Sequence, residues 1–156
     1  MTNGIKVKKR NGRGVEPLDL EKMHKMVEEA TKGITGVSAS QVEIQSGIQF
    51  YDGITTGEIQ EILIKSASDL IDLDNPNYQY VAARLLLFAV RKNLYGKIRE
   101  LPHLENHIYN CTNVDVYDKE IFDKYSKEEI DKANDFIDHE RDFLFTYAGL
   151  RQVVDK

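Results

Sequence analysis

Lys6, Lys8, Lys9, Arg10 and Arg13 put five positive charges into the opening stretch of the chain, before its first acidic residue, Glu16. Such a cluster can hold phosphate, because lysine and arginine give charge-assisted hydrogen bonds to anionic oxygens. Charge alone is as well explained by a solvated basic hairpin. Lys22, Thr56 and Lys92 are further polar groups that folding could bring to the same place. A triphosphate needs several cations in a fixed arrangement, and a helix N-terminus adds N–H donors and a partial positive charge. A nucleobase would also need an apolar slot with backbone groups beside it, which the segment 15–20 could supply. On spacing alone, ordinary surface lysines explain most such sets.

Other chemistry is poorly supplied. There is no GxxxxGK[ST] phosphate loop, no GxGxxG after a strand, no HExxH and no GxSxG, so a self-contained nucleotide hydrolase is not expected. His103 and His107 share an i, i+4 face, but without a second ligand pair they read as surface residues, and no metal site is expected among the four histidines. Cys111 is the only cysteine. It cannot form an internal disulfide or a CxxC pair, and it reads as a small apolar packing residue. No apolar run approaches the roughly 18 residues of a membrane span, and MTNGIKVKKR lacks the apolar stretch of a signal peptide, so a cytoplasmic setting is expected. Residues 1–100 carry 14 Lys+Arg against 13 Asp+Glu, a net +1, whereas residues 101–156 carry 7 against 13, a net −6.

The elements that must position the basic cluster follow from local patterns. Ile5 and Val7 alternate with Lys6 and Lys8 as in a half-buried strand, and Asn11-Gly12 suits a tight hairpin turn. Gly14-Val15-Glu16 is the expected return strand, with Pro17 ending the ladder for want of an N–H. Asp19 then caps a helix carrying Leu20, Met23, Val27 and Ala30 at helical spacing, ending near Gly33. Ser38 and Gln41 have the form of a capping box, and Val42, Ile44, Ile48 and Tyr51 predict a second helix that stops at Asp52-Gly53. Thr55 and Glu58 form a better box, followed by the stripe Ile59, Ile62, Leu63, Ser66, Ala67 and Leu70. Asn75-Pro76 starts a fourth helix through Tyr80, Val81, Leu85, Leu86 and Ala89 to about Tyr95, ended by Gly96. Beyond Leu101-Pro102 the pattern predicts shorter helices, one capped by Ser126 and Glu129 and running from Ile130 to Ile137, and a last one over 143–154. The expected fold is α+β and mainly α: an N-terminal β-hairpin over a four-helix layer, followed by further short helices. The 156 residues fit one domain over residues 1–96 and part of another over 97–156.

KKRNG near the start, PLDLEKMH at the first helix, SQVEIQSGIQFYDGITT in the middle and YQYVAARLLLFAVRK in the fourth helix, in that order and spacing, resemble the ATP-cone of class I ribonucleotide reductase large subunits. KYSKEEIDKANDFIDHERDFLFTYAGLRQ is similar to the opening helices of the catalytic domain in the same family. The resemblance implies an allosteric region that binds ATP as activator, or dATP as inhibitor in many members, with magnesium. It implies phosphate contacts from Lys9 and Arg10, a base and phosphate pocket lined by Glu16, Pro17, Leu18, Asp19, Leu20, Glu21 and Lys22, and completion by Thr56, Gln60 and Lys92. It implies no catalytic residue in this chain, since the family's radical chemistry uses several cysteines far downstream. Its partners would be the remainder of the large subunit, other large subunits and a radical-generating small subunit, with no nucleic acid and no membrane. Members inhibited by dATP commonly have Asp where this sequence has Glu58, His where it has Gln60 and His where it has Ala89. Gln60 and Ala89 resemble large subunits of T-even-like phages, which implies that dATP binds without strong inhibition.

Two other classes of function compete with this one. A nucleic-acid-binding cone protein would track phosphates with the basic hairpin, but such repressors resemble a zinc ribbon joined to the cone, and a single cysteine cannot build one. A nucleotide-independent subunit-interaction module would use the same helices as contacts only.

Overall fold

The computed structural model describes residues 4–9, 12 and 14–156. Arg10, Asn11 and Arg13, which carry part of the basic cluster and the expected turn pair, lie outside the described residues. Two short antiparallel strands, β1 (Lys6–Lys8) and β2 (Val15–Pro17), open the chain. They are paired Lys6 with Pro17, Val7 with Glu16 and Lys8 with Val15. β2 ends at Pro17 as expected, though not for want of an N–H. Ile5 O accepts from Leu18 N at 2.9 Å and Gly14 O from Lys9 N at 3.1 Å. Because bonded pairs alternate in an antiparallel ladder, Pro17 falls at a non-bonded position, where its missing N–H costs nothing.

Four helices follow: α1 (Leu20–Thr31), α2 (Ala39–Gly47), α3 (Thr56–Asp69) and α4 (Tyr78–Tyr95). The starts of α1, α2 and α3 are set by side-chain caps three residues back. Asp19 accepts from Lys22 N at 2.9 Å, Ser38 from Gln41 N at 3.4 Å, and Thr55 from Glu58 N at 3.2 Å. Met23, Val27 and Ala30 of α1 point into the core, while Leu20 is exposed. α4 is buried almost all round through Val81, Ala82, Ala83, Leu85, Leu86, Leu87, Phe88 and Ala89, as expected of the central helix of a layer. Gly96, at φ 72° with its N–H on Lys92 O, ends it. Tyr78, also buried, ties α4 to α2: its hydroxyl accepts from Ser38 N at 3.0 Å and donates to Gln41 Oε1 at 2.7 Å. Arg84 donates to Lys32 O at 2.7 Å and so receives the C-terminal end of α1.

The second helix is shorter than its apolar spacing suggests. It stops at Gly47, and Ile44, Ile48 and Tyr51, expected on the inner stripe, are 70%, 78% and 51% exposed. Long-range bonds to the hairpin decide the matter. Asp52 Oδ1 accepts from Lys6 N and Gly53 N donates to Lys6 O, both at 2.8 Å. Gly53 takes φ 86° to do so, a conformation open to glycine and strained for other residues.

The remainder is α5 (Leu104–Asn113), α6 (Glu120–Lys124), α7 (Lys127–Asp135), a 3-10 helix (His139–Leu144) and α8 (Tyr147–Val154). Ser126 and Glu129 form the expected box at α7, but the helix ends before Ile137. The stretch expected as one helix over 143–154 is divided, because Thr146 takes extended backbone and caps α8 through Gly149 N at 3.2 Å. The chain forms two compact units, one of residues 1–90 and 143–156 and one of residues 91–142. No described helix is long and apolar enough to cross a membrane.

Candidate functional site

The hairpin is fastened to the start of α3. Lys8 N donates to Ile54 O at 2.9 Å, and Lys8 and Thr55 form a parallel bridge. With the Lys6 contacts to Asp52 and Gly53, this lays the basic strand along the loop leading into α3, so residues some 46 positions apart in sequence meet. Lys8, the last residue of β1, is thereby bridged to Thr55, the N-cap of α3, at the end of that helix where N–H groups and the positive end of the helix dipole lie.

Lys9 Nζ reaches across the hairpin to Glu16 Oε2 at 2.7 Å, both side chains being nearly half exposed. Surface pairs of this kind contribute about 0–1 kcal/mol, so an incoming polyphosphate can take Lys9 over at little cost. Pro17, Leu18, Asp19, Leu20, Glu21 and Lys22 continue from Glu16 into the first turn of α1 as one connected segment. Asp19 is occupied as its cap and Glu21 pairs with Lys25 at 2.7 Å. Lys22 is exposed in that turn.

Gln60 stands one turn into α3 and is only 4% exposed. Its Nε2 is buried with no hydrogen-bond partner among the described residues. A buried amide left in that state costs about 1–3 kcal/mol, and an acceptor brought by a ligand would remove the cost. Lys92 lies exposed on the last turn of α4, among the residues of the second unit. Ala89 is buried on the same helix.

At this end of α3 the expected box of Thr55 and Glu58 forms, and Tyr51 joins it, which was not anticipated. Glu58 accepts from Thr55 N at 2.8 Å and contacts the Thr55 hydroxyl at 2.7 Å, and Tyr51 donates to its other oxygen at 2.9 Å. The Thr55 backbone N–H first, then the two hydroxyls, hold the Glu58 carboxyl below its ordinary range. The same Glu58 contact pushes the Tyr51 phenol up. Tyr51 therefore serves the loop, not the core stripe its spacing suggested.

The histidines and the cysteine have local partners. His24 lies between Glu43 (Nδ1, 2.6 Å) and Glu28 (Nε2, 3.2 Å), which raise its pKa, Glu43 most. His107 packs edge-on against Tyr95 and Tyr117, with Cys111 Sγ 3.7 Å from its Nε2. His103, Glu105 and Asp131 bring one potential ligand atom each within 4.8 Å of one another. Cation binding there is opposed from three sides. His103 Nδ1 accepts from Glu105 N at 3.3 Å, leaving the neutral ring's proton on Nε2; Lys127 Nζ is 3.8 Å from Glu105; and the group sits at the positive end of α5.

The family described as the ATP cone domain matches residues 5–93. The alpha subunit of ribonucleoside-diphosphate reductase 1 from Escherichia coli is 44% identical over 156 residues, all of this chain and 20% of its own length. The corresponding subunit of Haemophilus influenzae is also 44% identical, with the same coverage. That of Enterobacteria phage T4 is 41% identical over 143 residues, 90% of this chain and 18% of its own. The chain thus spans about a fifth of the length of the curated relatives it matches. With more than half of its residues inside the family match, the chain belongs to the ATP cone domain family, and its full length is similar to the N-terminal region of reductase alpha subunits.

Proposed function

We propose that this chain binds ATP, or dATP, as an allosteric effector through its magnesium complex and so regulates ribonucleotide reduction by the longer polypeptide whose N-terminal part it resembles. The observation that carries this reading is the fastening of the basic strand to the N-terminus of α3 through Lys8, Ile54 and Thr55. In this reading Lys9, Arg10 and Lys92 hold the phosphates, with Thr56 and the α3 N-terminus, and the phosphates carry the magnesium ion. The segment from Glu16 through Pro17, Leu18, Asp19, Leu20 and Glu21 to Lys22 lines the base and phosphate pocket. Gln60 uses its unpaired Nε2 on a nucleotide oxygen. Arg10 and Lys92 are assigned by family resemblance. Residues 1–96 form the cone, and residues 97–156 open the catalytic domain.

Cys111 is the single cysteine. It cannot serve as both radical carrier and reducing pair, so chemistry is assigned to the downstream part of such a polypeptide, in the cytoplasm, together with a radical-generating small subunit and other large subunits. Exposed Phe136, at 88%, and Val114, Val116 and Tyr125 in the second unit support a contact there with the rest of the large subunit. Glu58, Gln60 and Ala89 support a site that binds both nucleotides and responds weakly to dATP, since an effector shifts an equilibrium only by its differential affinity for two states.

Thermal unfolding with magnesium ATP tests the reading. A ligand at 100 times its Kd adds roughly 2.7 kcal/mol. The shift should shrink in Lys9→Ala and in Lys92→Ala. An unchanged shift in both variants would show that the phosphates lie elsewhere. Exposed Ile44 on α2 and Ile48 just after it favour a second reading, a contact module with no nucleotide, for which magnesium ATP would produce no shift.

A further inference from the structure

The last turn of α4 holds two cations with different surroundings. Lys92 is exposed. Arg91, its neighbour, has a side chain only 8% exposed and gathers three acceptors: Asp142 Oδ2 at 2.7 Å, His139 O at 3.3 Å and Ile98 O at 3.5 Å. One guanidinium thereby ties the chain just after α4 to the 3-10 helix. Higher on the same helix the next residue of that segment is also held. Phe88 meets the Phe143 ring edge-on at 6.4 Å, and the Arg84 guanidinium lies 5.2 Å from its centroid. Arg84, Phe88 and Arg91 have i, i+4, i+7 spacing and form one stripe on α4. Residues 139–143 are thus fixed to the stripe at both ends, and Phe143 is followed within four residues by α8.

We infer that this stripe is a coupling joint, through which a nucleotide at the cone orders or releases the 139–143 segment that leads out of it. The inference rests on the effector reading above, in which Lys92 takes phosphate. Phosphate on Lys92 restrains the same turn of backbone that carries Arg91. A buried guanidinium paired with a carboxylate is costly to leave unpaired, so the joint has a made and a broken state with little between them. A nucleotide that favours an ordered last turn favours the made state, and the exit segment reports its presence.

Hydrogen–deuterium exchange of the whole chain tests this, with calorimetry to follow magnesium ATP binding separately. Three forms are compared: the native chain, Asp142→Asn, which weakens the ion pair while keeping its shape, and Phe143→Leu, which keeps the pair and removes the ring. In the native chain, magnesium ATP should slow exchange over 139–146 by about five-fold or more. In Asp142→Asn, binding should persist while the slowing falls below about two-fold. If Asp142→Asn fails to fold by circular dichroism, Phe143→Leu carries the same expectation. A native chain that binds magnesium ATP with no change over 139–146, or variants that keep the full response, would overturn the joint. A native chain that binds no magnesium ATP would fail at the effector reading itself and take the joint with it.

Discussion

Replacing Gln60 with methionine should make the unliganded protein more stable and the liganded protein relatively less so. Gln60 is 4% exposed with its Nε2 unpaired. Methionine has similar length and no donor to satisfy, so the substitution removes the desolvation cost of one buried amide, about 1–3 kcal/mol, with little change in volume. A gain of 1 kcal/mol corresponds to roughly 2–4 °C in a chain of this size. The donor that costs stability in the empty site is, in our reading, the one that meets the nucleotide. Losing a hydrogen bond to a ligand should weaken binding by about 0.5–1.5 kcal/mol, a few-fold to ten-fold in Kd. Calorimetric scans of the native chain and Gln60→Met, each with and without magnesium ATP, give both numbers. A variant less stable than the native chain without ligand would mean that the amide is satisfied in solution. An equal nucleotide-induced shift in both would mean that Gln60 does not face the ligand.

Three further outcomes follow from the packing and the charges. Leu63 is fully buried on α3, so Leu63→Ala should cost about 2–5 kcal/mol in urea unfolding; a loss below 1 kcal/mol would contradict its place in the core. His24 is raised above 6.5 by Glu43 and Glu28. A raised folded pKa gives stability that is complete below the unfolded value and is lost as pH rises through the folded one, so Glu43→Gln should lower the urea midpoint more just below pH 6.5 than well above it, and an equal loss at both would refute the pairing. The chain alone, given a radical-generating small subunit and a dithiol, should reduce no ribonucleotide; turnover above background would mean that one cysteine suffices.

Local features were legible in the sequence because the bonds that make them are local. Asp19, Ser38, Thr55 and Ser126 each cap a helix through an N–H three residues ahead, and the apolar run of α4 leaves only a central helix as its home. Failures occurred where distant residues decided. Ile44, Ile48 and Tyr51 keep helical spacing, but Asp52 and Gly53 are claimed by Lys6 across the fold, and α2 ends early. Pro17 does end β2, but its tolerance there comes from the parity of the ladder, which the sequence does not display. Sequence supplied the phosphate-binding candidates but not the fastening of the basic strand to the start of α3, which depends on the bridge between Lys8 and Thr55. Glu58 was read as half of a capping box; that Tyr51 would complete its hydrogen bonding required the shortened α2. Arg91 and Asp142, 51 residues apart, carried no sequence signal as a pair.

Titration of the chain with magnesium ATP by isothermal calorimetry tests the central claim most directly. The account predicts a single-site isotherm that weakens in Lys9→Ala, with dATP binding the same site. The absence of binding heat for both nucleotides at concentrations up to the millimolar range, repeated at a second temperature to exclude a zero enthalpy, would contradict it.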